Sequence, residues 1–456
     1  MINTHSLVRG GALFCTLLLS GQVLAAVSPE EAAKLQGPLT PIGAERAGSA
    51  DGRIPAWDGG LQPAKPELTA NGTPADPFRG EQPLFTIDAR NYTEHQEHLS
   101  PGQIALLKRY PNSFHLPVYP SHRSAAIPDA LRESAARNAT SARLMNDGNG
   151  VEGFSGMVAF PIPQNGLEVL WNHLTRNRNA SFSLTSDSAA PQKDGAYTIM
   201  TTQQYFTRRD AVKGMAPEQA RNILYYYSHL LTAPSRMVGE VVLVHETLDQ
   251  VAEPRLSWVY SAGQRRVRRA PSIAYDTAGP TTAGLRTADS RDMFNGAPDR
   301  YDWKLVGKKT LYVPYNSYRL ASPDQHYDDL LQPGHVNPNA TRYELHRVWE
   351  VVATLKPGMR HIYSKRHYFI DEDTWAILEA DHYDNRGELW RIGEAHSYYH
   401  YSGQSAVNAM EITYDLNNGR YLASGLTSEQ RHPFDFSYQA STSDYSPGAL
   451  RSKGLR

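Results

Sequence analysis

The chain of 456 residues contains a single cysteine, Cys15. It lies inside an apolar stretch, "GGALFCTLLLSG", that follows Arg9 and leads into "QVLAAVS". A short basic start, a short apolar core and small residues at the exit are the pattern of a secretory signal peptide spanning residues 1–25. Cleavage is expected after Ala25, with Val23 and Ala25 at the two small-residue positions. Removal of this peptide removes the cysteine, so no disulfide staples the mature fold. Cys15 also follows Phe14 in the middle of the run, which excludes the lipoprotein arrangement of a cysteine at its end. A long hydrophobic run is missing too. The N-terminal stretch falls short of the about 20 residues that a membrane-spanning helix needs, and no later stretch is longer and equally apolar. Charge of one sign is missing: 46 basic residues face 47 acidic ones, a formal net charge of −1. These absences exclude an integral membrane protein of the helical kind and argue against a nucleic-acid partner. The expectation is a soluble exported protein, located in the periplasm.

Motifs of cofactor and catalytic chemistry are equally scarce. "GNGVEG" at 148–153 has the letters of a dinucleotide-binding turn. It follows a helix-like stretch and precedes "FSGMVAFPIP", so the strand-turn-helix context is absent. "GFSGM" around Ser155 lacks the spacing of a nucleophile elbow. "VHETL" has no second histidine four residues on. Seventeen histidines are present, and His396 and His400 of "HSYYH" have the spacing of a metal pair on a helix. Read as a strand, the same spacing separates them by about 13 Å. His361, His367 and His382 are the remaining histidines that strands would have to bring together. No metal site, cofactor or catalytic residue is expected.

About 430 residues remain after the signal peptide, more than the roughly 250–300 that one hydrophobic core usually supports. Residues 26–130 hold 14 of the 30 prolines, too many for regular helix or central strand. Trp57, Phe78, Phe85, Tyr92 and Tyr119 are scattered through the same segment, whereas a disordered tail carries few aromatics. The segment reads as an arm that wraps something and is anchored by its rings, with one short helix at Leu99 to Tyr110. The arm is taken to extend over 26–150 and the body over 151–456.

From Gly195 onward the pattern is one of strands rich in tyrosine, threonine and valine. "YELHRVWEVVATL" places Tyr343, Leu345, Arg347, Trp349, Val351, Ala353 and Leu355 on one face. "DEDT" at 371–374 and "DNRG" at 384–387 are its turns, the second ending in a glycine suited to a bulged hairpin. Short connections predict antiparallel neighbours, and the class is mainly β: a large curved antiparallel sheet, or incomplete barrel, with helices on its concave side. One helix is expected within it, over 217–232 of "PEQARNILYYYSHLLTAP". Ala220, Ile223, Leu224, Tyr227, Leu230 and Leu231 form its apolar stripe, with Pro217 in its first turn and Pro234 beyond its end. Such a helix either packs on the concave face or acts as a lid over an apolar cavity.

"WVYSAGQRRVRRAPSIAYD" sets Arg265, Arg266, Arg268 and Arg269 within five positions. On a strand, Arg265 and Arg269 share one face and Arg266 and Arg268 the other. Two readings stand: cross-strand pairing with acids such as Glu240, Glu246, Glu344 or Glu350, and a rim that holds an anionic head group or a partner protein.

Five blocks together carry a resemblance: "GAERAGSADGRIPAWDGGL" (43–61), "FPIPQNGLEVLWNHLTR" (160–176), the arginine-containing stretch, "LVGKKTLYVPYNSY" (305–318) and "RYELHRVWEVVATLKPGMRHIYSKRHYFIDEDTW" (342–375). They run in order over nearly the whole mature chain. The sequence resembles an uncharacterised family of exported Gram-negative proteins similar to outer-membrane lipoprotein-sorting proteins. It departs from that pattern at Ser49, where asparagine is expected. The resemblance implies the fold of the lipoprotein-localisation carriers, an incomplete antiparallel barrel with helices at its mouth and an apolar cavity for acyl chains. It also implies work beside lipid-exporting pumps of the resistance-nodulation-division type, and it brings no functional residues with it.

The leading expectation is a non-enzymatic carrier or docking protein for a hydrophobic small molecule or lipid, with an envelope transporter component as partner. Leu224, Tyr227, Leu231, Trp258, Tyr260, Tyr343 and Trp349 are the expected ligand-binding residues, with the four arginines as the rim. A hydrolase of lipid or envelope polymer, and a structural partner of an envelope transport complex, are the alternatives.

Overall fold

The computed structural model describes residues 26–62, 66–270, 275–279 and 281–455. The expected signal peptide, with Cys15, lies outside them, as do residues 271–274 that follow the arginine run. The proline-rich segment carries the short helix α1 (Pro29–Ala33), strand β1 (Phe85–Ile87), helix α2 (Pro101–Arg109) and strand β2 (Leu116–Val118). Helix α2 starts where the sequence supplies a reciprocal cap. The Ser100 hydroxyl accepts from Gln103 N, the Gln103 side chain accepts from Ser100 N, and Pro101 occupies the first turn. Helix α3 (Asp129–Ser141), hairpin β3 (Arg143–Met145) and β4 (Gly150–Glu152), and helix α4 (Gly166–Thr175) follow.

The strands that follow form two antiparallel meanders. The first comprises β5 (Ser181–Ala189), β6 (Met200–Arg208), β7 (Ile223–Ala233), β8 (Val241–Thr247), β9 (Leu256–Ser261) and β10 (Arg266–Arg269). The second comprises β11 (Tyr301–Pro314), β12 (Tyr343–Leu355), β13 (Lys365–Asp371), β14 (Ile377–Tyr383), β15 (Leu389–His400), β16 (Ser405–Asp415) and β17 (Arg420–Leu426). Strand β17 pairs with β5, which joins the meanders edge to edge into one large sheet. The short β18 (Phe434–Asp435) also pairs with β5. One parallel contact, Tyr343 with Val118, ties β2 of the arm to β12 and makes the sheet mixed. The sheet is not closed, with β10 at one end of the strand order and β1 at the other. No helix of the described residues is long and apolar enough to cross a membrane.

Two larger cores lie against the sheet. Helix α4 contributes Val169, Leu170, Trp171 and Leu174 to the first, against Val351, Ala353, Tyr368, Ile370 and Ala395. The arm contributes Ile54, Ile87, Leu106 and Leu107 to the second, against Ile392, Tyr398, Ile412 and Tyr414. Two rings of this segment reach beyond it: Phe85 meets Tyr312 of β11 edge-on at 5.9 Å and Phe78 meets Tyr318 edge-on at 6.4 Å. The Trp57 Nε1 bonds within the segment, donating to the Ala125 carbonyl at 3.2 Å. Both expected turns are present. Gly387 closes the 384–387 turn at φ 82°, donating to the Asp384 carbonyl at 3.0 Å. The "HSYYH" segment lies in β15, as a strand.

The expected helix over 217–232 is corrected by the structure. Only a single 3-10 turn forms, at Pro217–Ala220, and strand β7 follows from Ile223. Both faces of β7 are covered. Tyr225 lies in the first core, and Tyr226 packs in a third core with Val241, Leu243, Tyr260, Tyr445 and Leu450. A strand buried on both sides has apolar residues at almost every position, so a helical stripe can be traced through it. The helix that covers the sheet is instead α4, in the 160–176 block.

Candidate functional site

The cavity lies against the first meander. Antiparallel register stacks Phe182 of β5 beside Phe206 of β6, Phe206 beside Tyr227 of β7, and Tyr227 beside Val244 of β8. The next row holds Leu184, Gln204, His229 and Val242. Period-two alternation puts both rows on one face, and all eight side chains line a cavity of about 320 Å3. Ala406, Val407 and Glu411 of β16, with Phe434, add to the wall.

A strap formed by residues 281–296 covers this face. Its regular structure is one 3-10 turn, Ala288–Ser290, and polar bonds hold it in place. Asp289 is buried between Arg366, at 2.7 Å, and His361 Nε2, at 3.1 Å. Asp292 takes Arg176 at 2.5 Å and Arg178 at 2.6 Å. Arg286 pairs with Glu411 at 2.7 Å, and Asn295 accepts from the Tyr225 hydroxyl at 2.8 Å. The end of α4 locks the same segment. His173 Nε2 donates to the Asp292 carbonyl at 3.0 Å while its Nδ1 accepts from Ile377 N at 3.1 Å. That arrangement keeps His173 neutral, and burial lowers its pKa well below the usual histidine value.

Burial alone would raise the carboxyls of Asp289 and Asp292. The Arg366 guanidinium beside Asp289, and those of Arg176 and Arg178 beside Asp292, hold both below the ordinary range. His229 in the cavity wall is pushed down to about 3 by burial and by Arg291. It therefore stands neutral at physiological pH.

Of the expected ligand-binding residues, Tyr227 lines the cavity. Leu224 sits in the first core, and Leu231 is buried opposite Thr202 of β6. Trp258 and Tyr260 pack in the third core on the other side of the first meander. Tyr343 is buried in the second core, with its hydroxyl donating to Glu394 at 3.0 Å. Trp349 stacks on Trp375 with ring centroids 6.0 Å apart. The structure thus does not bring these seven residues together. The wall residues Phe182, Phe206 and Val244 escaped notice because their row exists only across strands.

The arginine run forms the turn into β10 and β10 itself, with Arg265 at φ 50° in the turn. Arg265, Arg266, Arg268 and Arg269 are all exposed. The cross-strand pairing reading is corrected. Among the described residues no carboxylate forms an ion pair with any of the four: β10 has β9 as its strand partner, and three of the four named acids pair elsewhere. Glu246 pairs with Arg255, Glu344 with Arg342, and Glu350 with His367.

The dispersed histidines stay apart as well. His361 contacts Asp289, His367 contacts Glu350, and His382 stacks on Tyr363. Three other side chains, His346, Asp371 and Asp373, bring ligand-type atoms within 4.8 Å of one another. Each is held by protein through at least one atom: Asp373 by Arg123 at 2.7 Å, Asp371 by the Tyr315 hydroxyl at 3.1 Å, and His346 by Glu344 at 3.1 Å, while Asp371 Oδ1 is buried without a hydrogen-bond partner among the described residues.

An uncharacterised protein of Pseudomonas aeruginosa is 54% identical to this chain over 456 residues, the full length of both. Solved structures similar to it include a domain from Vibrio parahaemolyticus described as a candidate outer membrane lipoprotein-sorting protein domain. That likeness has 11% identity and a TM-score of 0.43, covering 63% of this chain and 98% of the other. A DUF1329 family protein from Desulfovibrio piger has 14% identity and a TM-score of 0.40, covering 62% of this chain and 97% of the other. The matched region, residues 86–451, takes in both meanders, the strap and the later half of the arm, and through it the chain belongs to the family described as "Protein of unknown function (DUF1329)".

Proposed function

We propose that this protein is a non-enzymatic carrier or docking protein that holds the apolar part of an amphiphile in the cavity between the first meander and the 281–296 strap. One observation carries the reading: the row Phe182, Phe206, Tyr227 and Val244 forms a continuous apolar wall facing open space rather than another packed layer. A volume of about 320 Å3 is near the lower end of the roughly 300–1,000 Å3 of small-molecule pockets. That size suits a single-chain amphiphile better than a two-chain lipid. The hydrolase alternative finds less support in this cavity. Glu246, Asp292 and Glu411 are each paired with arginine, and Asp187 accepts from the Tyr327 hydroxyl at 2.8 Å, so none is poised as a free acid or base. The periplasm is the proposed compartment, on the signal-peptide pattern. The exposed arginines of β10 are the proposed contact for an anionic surface or an envelope transport component.

The test is a titration with 11-(dansylamino)undecanoic acid and its methyl ester. Leu184 is half-buried and faces the cavity, so Leu184→Trp is expected to fill it. The variant should weaken binding of both probes at least about tenfold with little change in melting temperature. Equal binding by both proteins would place the probe elsewhere and sink the reading.

A further inference from the structure

We infer that Arg291 receives the acidic head group, a carboxylate or phosphomonoester, of the amphiphile that occupies the cavity. The inference rests on the carrier reading above and adds the chemical class of the ligand.

The cavity wall contains five arginines, Arg176, Arg178, Arg255, Arg286 and Arg291, but four carboxylates, Asp187, Glu246, Asp292 and Glu411. Four of the guanidiniums are matched. Arg176 and Arg178 share Asp292, Arg255 pairs with Glu246, and Arg286 pairs with Glu411. Asp187 is held by Tyr327, Thr201 and Gln430 rather than by an arginine. Arg291 is the remainder: among the described residues it forms no ion pair with a carboxylate. Its Nη2 donates to the Gln204 side-chain oxygen at 2.7 Å, and its guanidinium carbon lies 3.8 Å from the centre of the Tyr227 ring. The Tyr227 hydroxyl donates to the same Gln204 oxygen at 3.0 Å. The guanidinium is thereby held over the Tyr227 ring.

A half-buried guanidinium fixed by neutral groups retains most of its five donors. In a partly dehydrated cavity those donors favour an anion, and the rigid fork matches the two oxygens of a carboxylate or phosphate. His229, neutral and 3.3 Å from the Tyr227 hydroxyl through its Nδ1, adds no competing charge. The neighbouring rings of Phe206 and Phe182 then supply the surface along which a tail would lie.

Three probes separate the outcomes: 11-(dansylamino)undecanoic acid, its methyl ester, and the phosphomonoester of the matching alcohol. Wild type is expected to bind one or both anionic probes roughly tenfold or more tightly than the ester, the worth of a hydrogen bond to a charged group. A gain for the phosphomonoester alone assigns the head group to phosphate, and a gain for both admits either source. Arg291→Met is expected to bind the ester as wild type does and to lose the preference. Equal binding of all three probes by wild type overturns the head-group inference while leaving the carrier reading intact. A preference that survives in folded Arg291→Met overturns the assignment to Arg291. Absence of binding by every probe overturns both readings. Arg291→Gln, which removes the charge but keeps donors, is read in the same way if Arg291→Met does not fold.

Discussion

Asp289 and Asp292 hold the strap by charge, and this gives the strap a pH dependence of definite sign. Both carboxyls have pKa values held below the ordinary range, against the effect of burial, by facing guanidiniums. An acid with a depressed folded pKa contributes stability that is fully present above its unfolded value of roughly 3.9. The contribution is lost as pH falls below that value. Protection of the amides across 281–296, taken relative to the intrinsic exchange rate at each pH, should therefore fall below about pH 4 as these carboxylates are protonated. Buried neutral His173 adds a loss of the same sign that begins below about pH 6.5. Protection that fails to fall between about pH 6.5 and about pH 3 would contradict the account. Asp289→Asn leaves Arg366 buried without its carboxylate, and should cost about 3–5 kcal/mol in unfolding free energy. At β10 the expectation is the reverse. Arg266 and Arg268 are exposed, so replacing either with alanine should change stability by no more than about 0.5 kcal/mol. A loss beyond about 1 kcal/mol in a denaturant series would restore the pairing reading.

At the scale of elements, β7 carries the lesson of the sequence. The tyrosines, the "DNRG" turn and the alternation of 343–355 identify strands directly, because one polar or charged row leaves the period of two visible. In β7 neither face is polar. Tyr225, Tyr227 and His229 look into the cavity, and Tyr226 looks into the third core. The same letters therefore fit a helical stripe. The strap escaped notice for a different reason: its hold consists of bonds between Asp289, Asp292 and residues 72–116 positions away, such as His361, Arg366, Arg176 and Arg178, and no local period records them. Leu231 separates the helix and strand accounts. It is 2% exposed and pairs across β6 with Thr202, so it is packed core rather than the lip of a cavity. Leu231→Ala should cost about 2–5 kcal/mol and leave the affinity of a probe for the folded protein within about twofold of wild type. A small cost accompanied by altered probe binding would move Leu231 back to the cavity.

For the molecule as a whole, two meanders joined through β17 and β5 leave a large sheet open, and α4, the arm and the strap cover it. The mainly β class and the helix at 101–109 were legible in composition and pattern. The cavity was not, since it arises from side chains that meet across four strands and from a segment without regular structure. Its apolar rows and its unmatched arginine point to one claim, that the protein carries an acidic amphiphile. The most direct measurement is mass spectrometry of the natively purified protein, intact and after organic extraction. The account predicts a single bound species in a one-to-one complex, released by the solvent as a single-chain amphiphile with an acidic head, and absent from Leu184→Trp. Wild type that carries no such species, and acquires none when incubated with a long-chain fatty acid or alkyl phosphate, would contradict it.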